Sequence, residues 1–210
     1  MIVSYATDLY PLSLPEPKVP RTPGVHVSSI IGLIAMRNGR LAPEYCEEFD
    51  LVEGRTITDP VSILRMSIGL AWEAYYIPLL QDVVGWPGEL EVDGVYMTPD
   101  GESVSTILEE RRDSYTIAVH ECKATYKSIN TVGDFSNQWM WVAQIQAYCK
   151  AMKTRLAFAH VLYLCGDYNY PICPRREVYR IEFSEAEIND NWSLLVNYVR
   201  EEKRRNGQPR

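Results

Sequence analysis

The chain has 210 residues, a formal net charge of −7 at pH 7, 46% hydrophobic residues and 23% charged residues. These fractions are ordinary for a globular domain and argue against wholesale disorder. No apolar run approaches the ~20 residues that span a bilayer, and the N-terminus lacks the basic and then apolar pattern of a secretory signal. We therefore expect a cytoplasmic protein, in the host cytoplasm if it is viral, with no membrane partner.

The acidic balance bears on the choice of partner. A protein that binds only a nucleic-acid backbone usually carries a basic surplus, so the net charge argues mildly against nucleic acid. A metal-dependent site needs clustered carboxylates, however, and bound cations then reverse the local charge. Basic residues are also bunched, at Arg111-Arg112, at Arg175-Arg176 and within residues 203–205. Nucleic acid therefore stays a candidate partner.

Proline dominates the start of the chain, at Pro11, Pro15, Pro17, Pro20 and Pro23. Proline fits neither a helix interior nor a central strand. Residues 1–25 are therefore predicted to form an extended, proline-rich N-terminal arm. Residues 26–210 are predicted to be a single domain, with its functional motifs within residues 60–164.

Helices and strands are predicted to alternate along this domain. Asp59-Pro60 is a good helix start, because a capping acid precedes proline at the first helical position. Ser184 begins the last helix, and Glu187 completes a capping box. The predicted helices cover residues 28–38, 60–80, 137–152 and the segment after Ser184; the predicted strands cover residues 90–97, 115–124, 156–164 and 178–183. This order predicts an α/β fold with a central mixed β-sheet flanked by helices.

Glu121 and Lys123 are the first candidates for a functional site. Residues two apart in a strand project from the same face, so these two side chains point together while Cys122 points to the opposite face. The strand is apolar, through Ile117 and Val119, until this charged pair. An ordinary ion pair on an edge strand is the alternative interpretation.

Asp93 is the second candidate. Aspartate is a poor strand former, and Gly94 after it suggests a bulge or a close backbone approach within the predicted strand. An Asp-Gly turn is the alternative. A better turn signal follows at Pro99-Asp100-Gly101, where a hairpin is predicted.

Glu73 lies on an apolar stripe of the predicted helix 60–80, between Leu70 and Ile77. A carboxylate on a core-facing stripe is costly unless it is paired or binds a metal. A cation near the sheet would explain Glu73, and a position at the edge of the stripe with access to solvent would explain it as well.

Gln144 and Tyr148 are four residues apart on the predicted helix 137–152, so they lie on the same side of it. An amide that both donates and accepts, next to a hydroxyl, suits the holding of a phosphate or of a catalytic lysine. A helix flank at the rim of the core is the alternative.

These residues form an ordered pattern: Gly69-x-x-x-Glu73, Asp93-Gly94, Glu121-x-Lys123 and Gln144-x-x-x-Tyr148. The pattern resembles the PD-(D/E)XK nuclease superfamily, and more narrowly the branch with the RecB nuclease domain and lambda-type exonuclease, which carries the QxxxY motif. The resemblance covers residues from about 60 to 164. The proline that usually precedes the motif aspartate is missing, because Val92 stands there.

The resemblance implies a restriction-endonuclease-like core that hydrolyses DNA phosphodiester bonds with Mg²⁺ or Mn²⁺. An exonuclease that leaves 5′-phosphates is expected. The expected partner is DNA; a homo-oligomer and a role in phage or host recombination or repair are compatible with the pattern.

The resemblance also implies a role for each motif residue. The carboxylates expected to bind the metal, with help from the backbone carbonyl of Cys122, are Glu73, Asp93 and Glu121. Hard divalent cations prefer such oxygen ligands. Lys123 would position or deprotonate the attacking water, and Gln144 and Tyr148 would steady Lys123 or the DNA backbone.

The cysteines and histidines add little to this site. No CxxC pair occurs among the five cysteines, so there is no zinc-ribbon signature. Some relatives hold a four-cysteine iron–sulfur cluster; it is not expected here, because Cys149 belongs to the packed face of its helix. His120 alternates to the face of Cys122 and His160 lies in mid-strand, so both are interpreted as structural.

Other functions remain open. A structure-specific or restriction-like endonuclease would use the same fold, although the lack of an evident DNA-reading domain favours an exonuclease. A catalytically silent relative would act as a DNA-binding or assembly protein. A further alternative is that the motif residues occur together by chance in a generic α/β domain.

Overall fold

The computed structural model describes residues 21–40, 49–52, 54–55, 60–81, 83–109, 112–127, 134–164 and 174–205. Residues 1–20, most of the predicted arm, lie outside these ranges. Among the helices in these ranges, none is both long and apolar enough to span a bilayer.

The helices in this part of the chain follow the predicted segments closely. They are α1 (Val27–Arg37), α2 (Pro60–Tyr76), α3 (Trp139–Met152) and α4 (Glu185–Arg205), with short 3₁₀ turns at Ile77–Leu79 and Phe135–Asn137. The capping box before α4 is present. The Ser184 N–H donates to the Glu187 carboxylate at 2.8 Å, and the Glu187 N–H donates to the Ser184 hydroxyl at 3.2 Å.

Ten strands are described: β1 (Val25–His26), β2 (Phe49–Asp50), β3 (Gly54–Arg55), β4 (Val83–Gly85), β5 (Leu90–Val92), β6 (Val95–Met97), β7 (Gly101–Glu109), β8 (Arg112–Thr125), β9 (Leu156–Tyr163) and β10 (Arg175–Glu182). The main sheet has the strand order β10-β9-β8-β7-β4. Within it β8 and β9 are parallel, joined through α3, and the other neighbours are antiparallel. The α/β fold with a central mixed sheet and flanking helices is thus confirmed.

The hydrophobic core lies on the face of the main sheet that α3 covers. Val119 of β8 and Val161 of β9 are completely buried there, as are Ile145 and Cys149 of α3 and Leu195 of α4. On the other face, α2 packs through Tyr76, whose ring lies 5.2 Å from the ring of His160. Because β8 alternates its side chains between the two faces, neighbouring residues of the Glu121 segment meet different helices.

The predicted strand 90–97 is wrong as a single element. Val92 pairs with Val95, so the segment is a tight hairpin of β5 and β6. Its two turn residues, Asp93 and Gly94, both have positive φ, at 53° and 74°. An Asp-Gly pair suits a two-residue turn of this kind, since glycine reaches positive φ freely and aspartate tolerates it. The Asp-Gly turn, the alternative weighed above, is what the chain forms.

The prediction of a hairpin turn at Pro99-Asp100-Gly101 is also wrong. Gly101 is the first residue of β7, a nine-residue strand that pairs antiparallel with β8. The chain therefore runs through Pro99 and Asp100 from the small sheet into the main sheet. This junction matters for the site, because it places Asp100 beside Glu121 of β8.

The apolar stripe predicted for α2 is not core-facing along its length. Met66 and Leu70 are 41% and 38% exposed, and only Ile63 and Tyr76 of this helix are buried. Helical periodicity shows that one face is apolar, but another element must cover that face to bury it.

Candidate functional site

The register of β7 against β8 places a carboxylate opposite Glu121. Gly101 pairs with His120, so Asp100, one residue earlier on an antiparallel strand, lies opposite Glu121. The Cys122 N–H donates to Asp100 Oδ2 at 2.6 Å and fixes this position. Two acidic side chains from segments that are 21 residues apart thus meet at one point of the sheet.

Glu121 and Lys123 project from the same face of β8, as predicted. Lys123 Nζ lies 2.5 Å from Glu121 Oε1 and donates a second hydrogen bond to Gln144 Oε1 on α3 at 2.9 Å. The Glu121 side chain is 3% exposed and the Lys123 side chain 18%. The Glu121 side chain is therefore closed in by protein, while the Lys123 side chain is partly exposed.

Helix α3 supplies the support for this lysine. The Gln144 amide accepts from Lys123 through Oε1 and donates through Nε2 to Tyr148 Oη at 2.6 Å. Gln144 and Tyr148 are one helical turn apart, as the spacing predicted. The result is a continuous chain of hydrogen bonds from Glu121 through Lys123 and Gln144 to Tyr148.

The carboxylates of the site are held in an environment that opposes their charge. Burial is the main reason why the pKa of Asp100 lies well above its usual range, and Glu121 and Glu73 raise it further. Burial also raises the pKa of Glu121; Lys123 offsets part of this effect and Glu73 adds to it. Glu73, half-buried on α2, therefore lies close enough to act on both.

Glu121 Oε2 is buried and receives no hydrogen bond from an N–H group among the described residues; the Asp100 carboxyl group lies within hydrogen-bonding reach of Glu121. A buried polar atom without a partner costs about 1–3 kcal/mol, and more when it is charged. Additional positive charge beside Glu121 and Asp100 would relieve both this penalty and the repulsion between the two carboxylates.

The pKa values of Lys123 and Tyr148, which flank the carboxylates, are shifted by the same charges. Burial by itself would lower the pKa of Lys123, but the carboxylates of Glu121 and Asp100 outweigh it and raise the pKa. Burial raises the pKa of Tyr148 well above its usual value, and the charges of Glu121 and Asp100 add to this. Lys123 is thus held as an ammonium and Tyr148 as a neutral hydroxyl.

Asp93 does not belong to this cluster, contrary to the expectation from the sequence. It is exposed in the β5–β6 turn, and its Oδ2 accepts a hydrogen bond from Trp192 Nε1 of α4 at 2.8 Å. The aspartate that lies opposite Glu121 is Asp100. Asp100 follows Pro99, so a proline-aspartate pair stands beside Glu121.

Sequence reasoning also missed Arg21. Its guanidinium lies close enough to Tyr148 to act on the pKa of that hydroxyl, and it donates to Ser28 Oγ at 3.1 Å. Its place inside a proline-rich segment gave no signal of this role. Arg21 adds a positive charge beside an otherwise acidic site.

The opposite face of β8 carries a separate polar group. His120 is buried and hydrogen-bonds through Nδ1 to His160 Nε2 at 2.9 Å and through Nε2 to Ser103 Oγ at 2.8 Å. Both histidines lie inside the fold, on the side of α2. Cys122 and Cys149 are buried free thiols, whereas Cys46, Cys165 and Cys173 lie outside the described residues.

The donor set fits a hard divalent cation. Within the described ranges, no three His, Cys, Asp or Glu side chains gather tightly enough to enclose a metal ion by themselves. Mg²⁺ does not require such a cage, since it keeps several waters and is commonly held by one or two carboxylates. Asp100 and Glu121 provide that pair, and Glu121 Oε2, which receives no hydrogen bond from an N–H group among the described residues, gives it a ligand atom.

Two solved exonuclease structures have a fold similar to that of this chain. An alkaline exonuclease from Laribacter hongkongensis (LHK-Exo) matches with a TM-score of 0.54 and 19% identity, over 85% of this chain and 87% of that chain. A phage-related exonuclease from Haemophilus somnus 129PT matches with a TM-score of 0.52 and 13% identity, over 85% and 92%. No protein-family model and no curated protein matches the sequence.

These structural matches are broad, since they span most of both chains, but their identities are low. They establish the fold and leave the activity to be argued from the site. The resemblance to PD-(D/E)XK nucleases that the sequence pattern predicted is thereby confirmed at the level of the fold. The chain shares the α/β architecture of lambda-type and alkaline exonucleases.

Proposed function

We propose that this protein is a divalent-metal-dependent DNA nuclease, and specifically an exonuclease that leaves 5′-phosphates. The observation that carries the proposal is the β7–β8 register, which sets Asp100 opposite Glu121 with Lys123 two residues further along the same face. In metal-assisted hydrolysis of a phosphodiester, a pair of carboxylates can hold the metal ion and an adjacent ammonium can stabilise charge on the phosphate. The fold supports the proposal, because two solved structures that it matches are described as exonucleases.

Asp100 and Glu121 would hold the cation, Mg²⁺ or Mn²⁺, with the backbone carbonyl of Cys122 and with Glu73 directly or through water. The bound cation would supply Lewis-acid chemistry, since it neutralises charge on the phosphate and makes water more acidic. Asp93, which the sequence pattern favoured, is left out of this proposal because its carboxylate is bonded to Trp192.

Lys123 is proposed to act on the phosphate and its attacking water as a fixed ammonium. An ammonium has three N–H donors, and Lys123 uses two of them, toward Glu121 and Gln144. The third donor would contact a substrate oxygen. A donor held in place before the reaction stabilises developing negative charge without having to reorganise.

Gln144 and Tyr148 are positioning residues in this proposal. The amide of Gln144 must present its oxygen to Lys123, because its nitrogen donates to the neutral hydroxyl of Tyr148. This arrangement fixes the orientation of the amide and hence the direction of the lysine. Arg21, close to Tyr148, adds positive charge that would attract a DNA phosphate.

The test is a time course of cleavage with the intact protein. Linear DNA labelled at one end and closed-circular DNA are each incubated with Mg²⁺, Mn²⁺ or chelator. We expect loss of label from the linear DNA with either metal, no cleavage in chelator, and intact circles. The Lys123→Ala variant should be inactive, and unchanged cleavage by this variant would refute the proposal.

The same assay separates the alternatives. Nicking or linearisation of the closed circles would indicate a structure-specific endonuclease on this fold. DNA binding without any cleavage, and a biological activity that survives Glu121→Ala, would indicate a catalytically silent DNA-binding or assembly protein. A homo-oligomer and a role in phage or host recombination remain proposals, and gel filtration of the purified protein tests the first of them.

A further inference from the structure

A cavity of about 400 Å³ lies at the carboxyl end of β8, the strand that carries Glu121 and Lys123. The residues that line it are Arg65, Ala124, Thr125, Tyr126, Lys127 and Leu164. Its volume falls within the range of about 300–1,000 Å³ in which proteins bind small organic groups. Among the described residues that line it, none is acidic, although the chain as a whole carries a net charge of −7.

The cavity combines positive charge with an accessible aromatic ring. The guanidinium carbon of Arg65 lies 5.8 Å from the centre of the Tyr126 ring, and Tyr126 is 40% exposed. Lys127 lies beside them, with Nζ 3.2 Å from Gln138 Oε1. An open aromatic face next to two cations is the combination that single-stranded nucleic acid recognises, by base stacking and by phosphate contacts.

The distance to the candidate site suits a neighbouring nucleotide of one DNA strand. Tyr126 is three residues beyond Lys123, or about 10 Å along a strand. Arg65 is eight residues before Glu73, or about 12 Å along a helix. Glu121 and Lys123 face α3, whereas Ala124 and Arg65 lie on the α2 side of β8, so a DNA strand would reach the cavity by passing around the carboxyl end of β8. At about 3.4 Å per nucleotide, these chain lengths correspond to about three to four nucleotides.

We propose that this cavity is a nucleotide subsite, in which Tyr126 stacks on one base of the DNA strand while Arg65 and Lys127 contact its phosphates. The inference rests on the proposed function, since it assigns the path of the same substrate. Stacking uses the face of a base and not its hydrogen-bonding edge, so the subsite accepts any base. It therefore holds the strand in register without imposing a sequence on the cut.

Binding without cleavage tests the subsite directly. The probe is a fluorescent oligothymidylate in chelator, measured by anisotropy with the full-length protein. Tyr126→Leu should weaken binding by about ten-fold or more, as expected for one lost base stack, whereas Tyr126→Phe should bind like the wild type. Arg65→Ala and Lys127→Ala should each reduce the salt dependence of binding, with a change of about 0.7 in the slope of log Kd against log salt concentration.

An abasic oligonucleotide of the same length separates stacking from a general loss of structure. The Tyr126→Leu penalty should disappear on this probe, because no base is left to stack. Tyr75→Leu serves as a matched control, since Tyr75 is 67% exposed on α2 and does not line the cavity. Arg155→Ala controls for charge, since Arg155 precedes β9 while the cavity lies beyond the other end of that strand.

The outcomes distinguish the subsite from the proposed function. If the wild type binds and cleaves DNA but the Tyr126 and Arg65 variants match their controls, the subsite is refuted and the nuclease stands. An equal penalty for Tyr126→Leu on both probes refutes base stacking in the same way. If the wild type neither binds nor cleaves DNA, both proposals fall together.

Discussion

Exchange of one acidic side chain at a time tests the proposal that Asp100, and not Asp93, is the functional aspartate. We expect Asp100→Asn to lower the cleavage rate by about 10²–10³-fold or more, the range for loss of one preorganised electrostatic group. Asp93→Asn should leave the rate unchanged. The physical reason is their location, because Asp100 lies opposite Glu121 whereas Asp93 is exposed in a turn and bonded to Trp192.

The same pair of variants should differ in the thermal stabilisation that a metal provides. A cation present at about 100 times its Kd stabilises the folded protein by about 2.7 kcal/mol. For 210 residues the entropy of unfolding is about 0.44 kcal/mol per K, at about 2.1 cal/mol per K per residue. The wild type should therefore gain about 6 °C in Tm on addition of Mg²⁺ at that level, and Asp100→Asn less than about 1 °C.

The metal-free proteins supply an internal check on this reasoning. In chelator, Asp100→Asn should be at least as stable as the wild type, because the substitution removes the repulsion between Asp100, Glu121 and Glu73. Asp93→Asn should change the stability by less than about 0.5 kcal/mol, since asparagine retains an acceptor and tolerates positive φ. Calorimetric scans with Mg²⁺ and with chelator measure all these values. If Mg²⁺ raised the Tm of Asp100→Asn as much as that of the wild type, or did not raise the Tm of Asp93→Asn, the assignment of metal binding to Asp100 would be wrong.

Three further predictions concern the support of the site and the stability of the fold. Gln144→Ala should lower kcat by about 10- to 100-fold with little change in Tm, because Lys123 loses its support; a Tm loss that matches the activity loss would point instead to a general structural role. Burial lowers the pKa of His160 to about 4, so between pH 6.5 and 4 the unfolded chain binds a proton at this residue and the folded chain does not. The free energy of unfolding should therefore decrease by about 3 kcal/mol at most as the pH is lowered through this range. Urea unfolding of His160→Phe should lack this decrease. Ser184→Ala should cost about 1 kcal/mol through loss of the capping box, with an unchanged Tm counting against it.

The sequence predicted those elements whose signals are local. Ser184 with Glu187 marks a helix start by itself, and so does proline at position 60. The pairing of Glu121 with Lys123 follows from alternation along one strand, and that of Gln144 with Tyr148 follows from one turn of one helix. Each of these relationships spans at most four residues, so nothing distant in the chain was needed to interpret it.

The aspartate that lies opposite Glu121 could not be identified in this way, because its position depends on a long-range register. Asp93 and Asp100 both precede glycine, and each is compatible with a turn or with a strand end. What separates them is the pairing of β7 with β8, which carries Asp100 across 21 residues to meet Glu121. The proline before Asp100 was the available local signal, and it was interpreted as part of a turn. The exposure of Met66 and Leu70 was likewise not predictable from the sequence, because periodicity does not show whether another element covers the apolar face of a helix.

The thiol of Cys122, in the middle of the motif strand, is shielded from chemical modification by its surroundings. Burial raises its pKa, and the charges of Asp100, Glu121 and Glu73 raise it further. Alkylating reagents and oxidants attack the thiolate form, so this cysteine should stay unmodified for as long as the acidic residues remain gathered beside it. Labelling of Cys122 by a thiol reagent would therefore report that the pairing of β7 with β8 has opened.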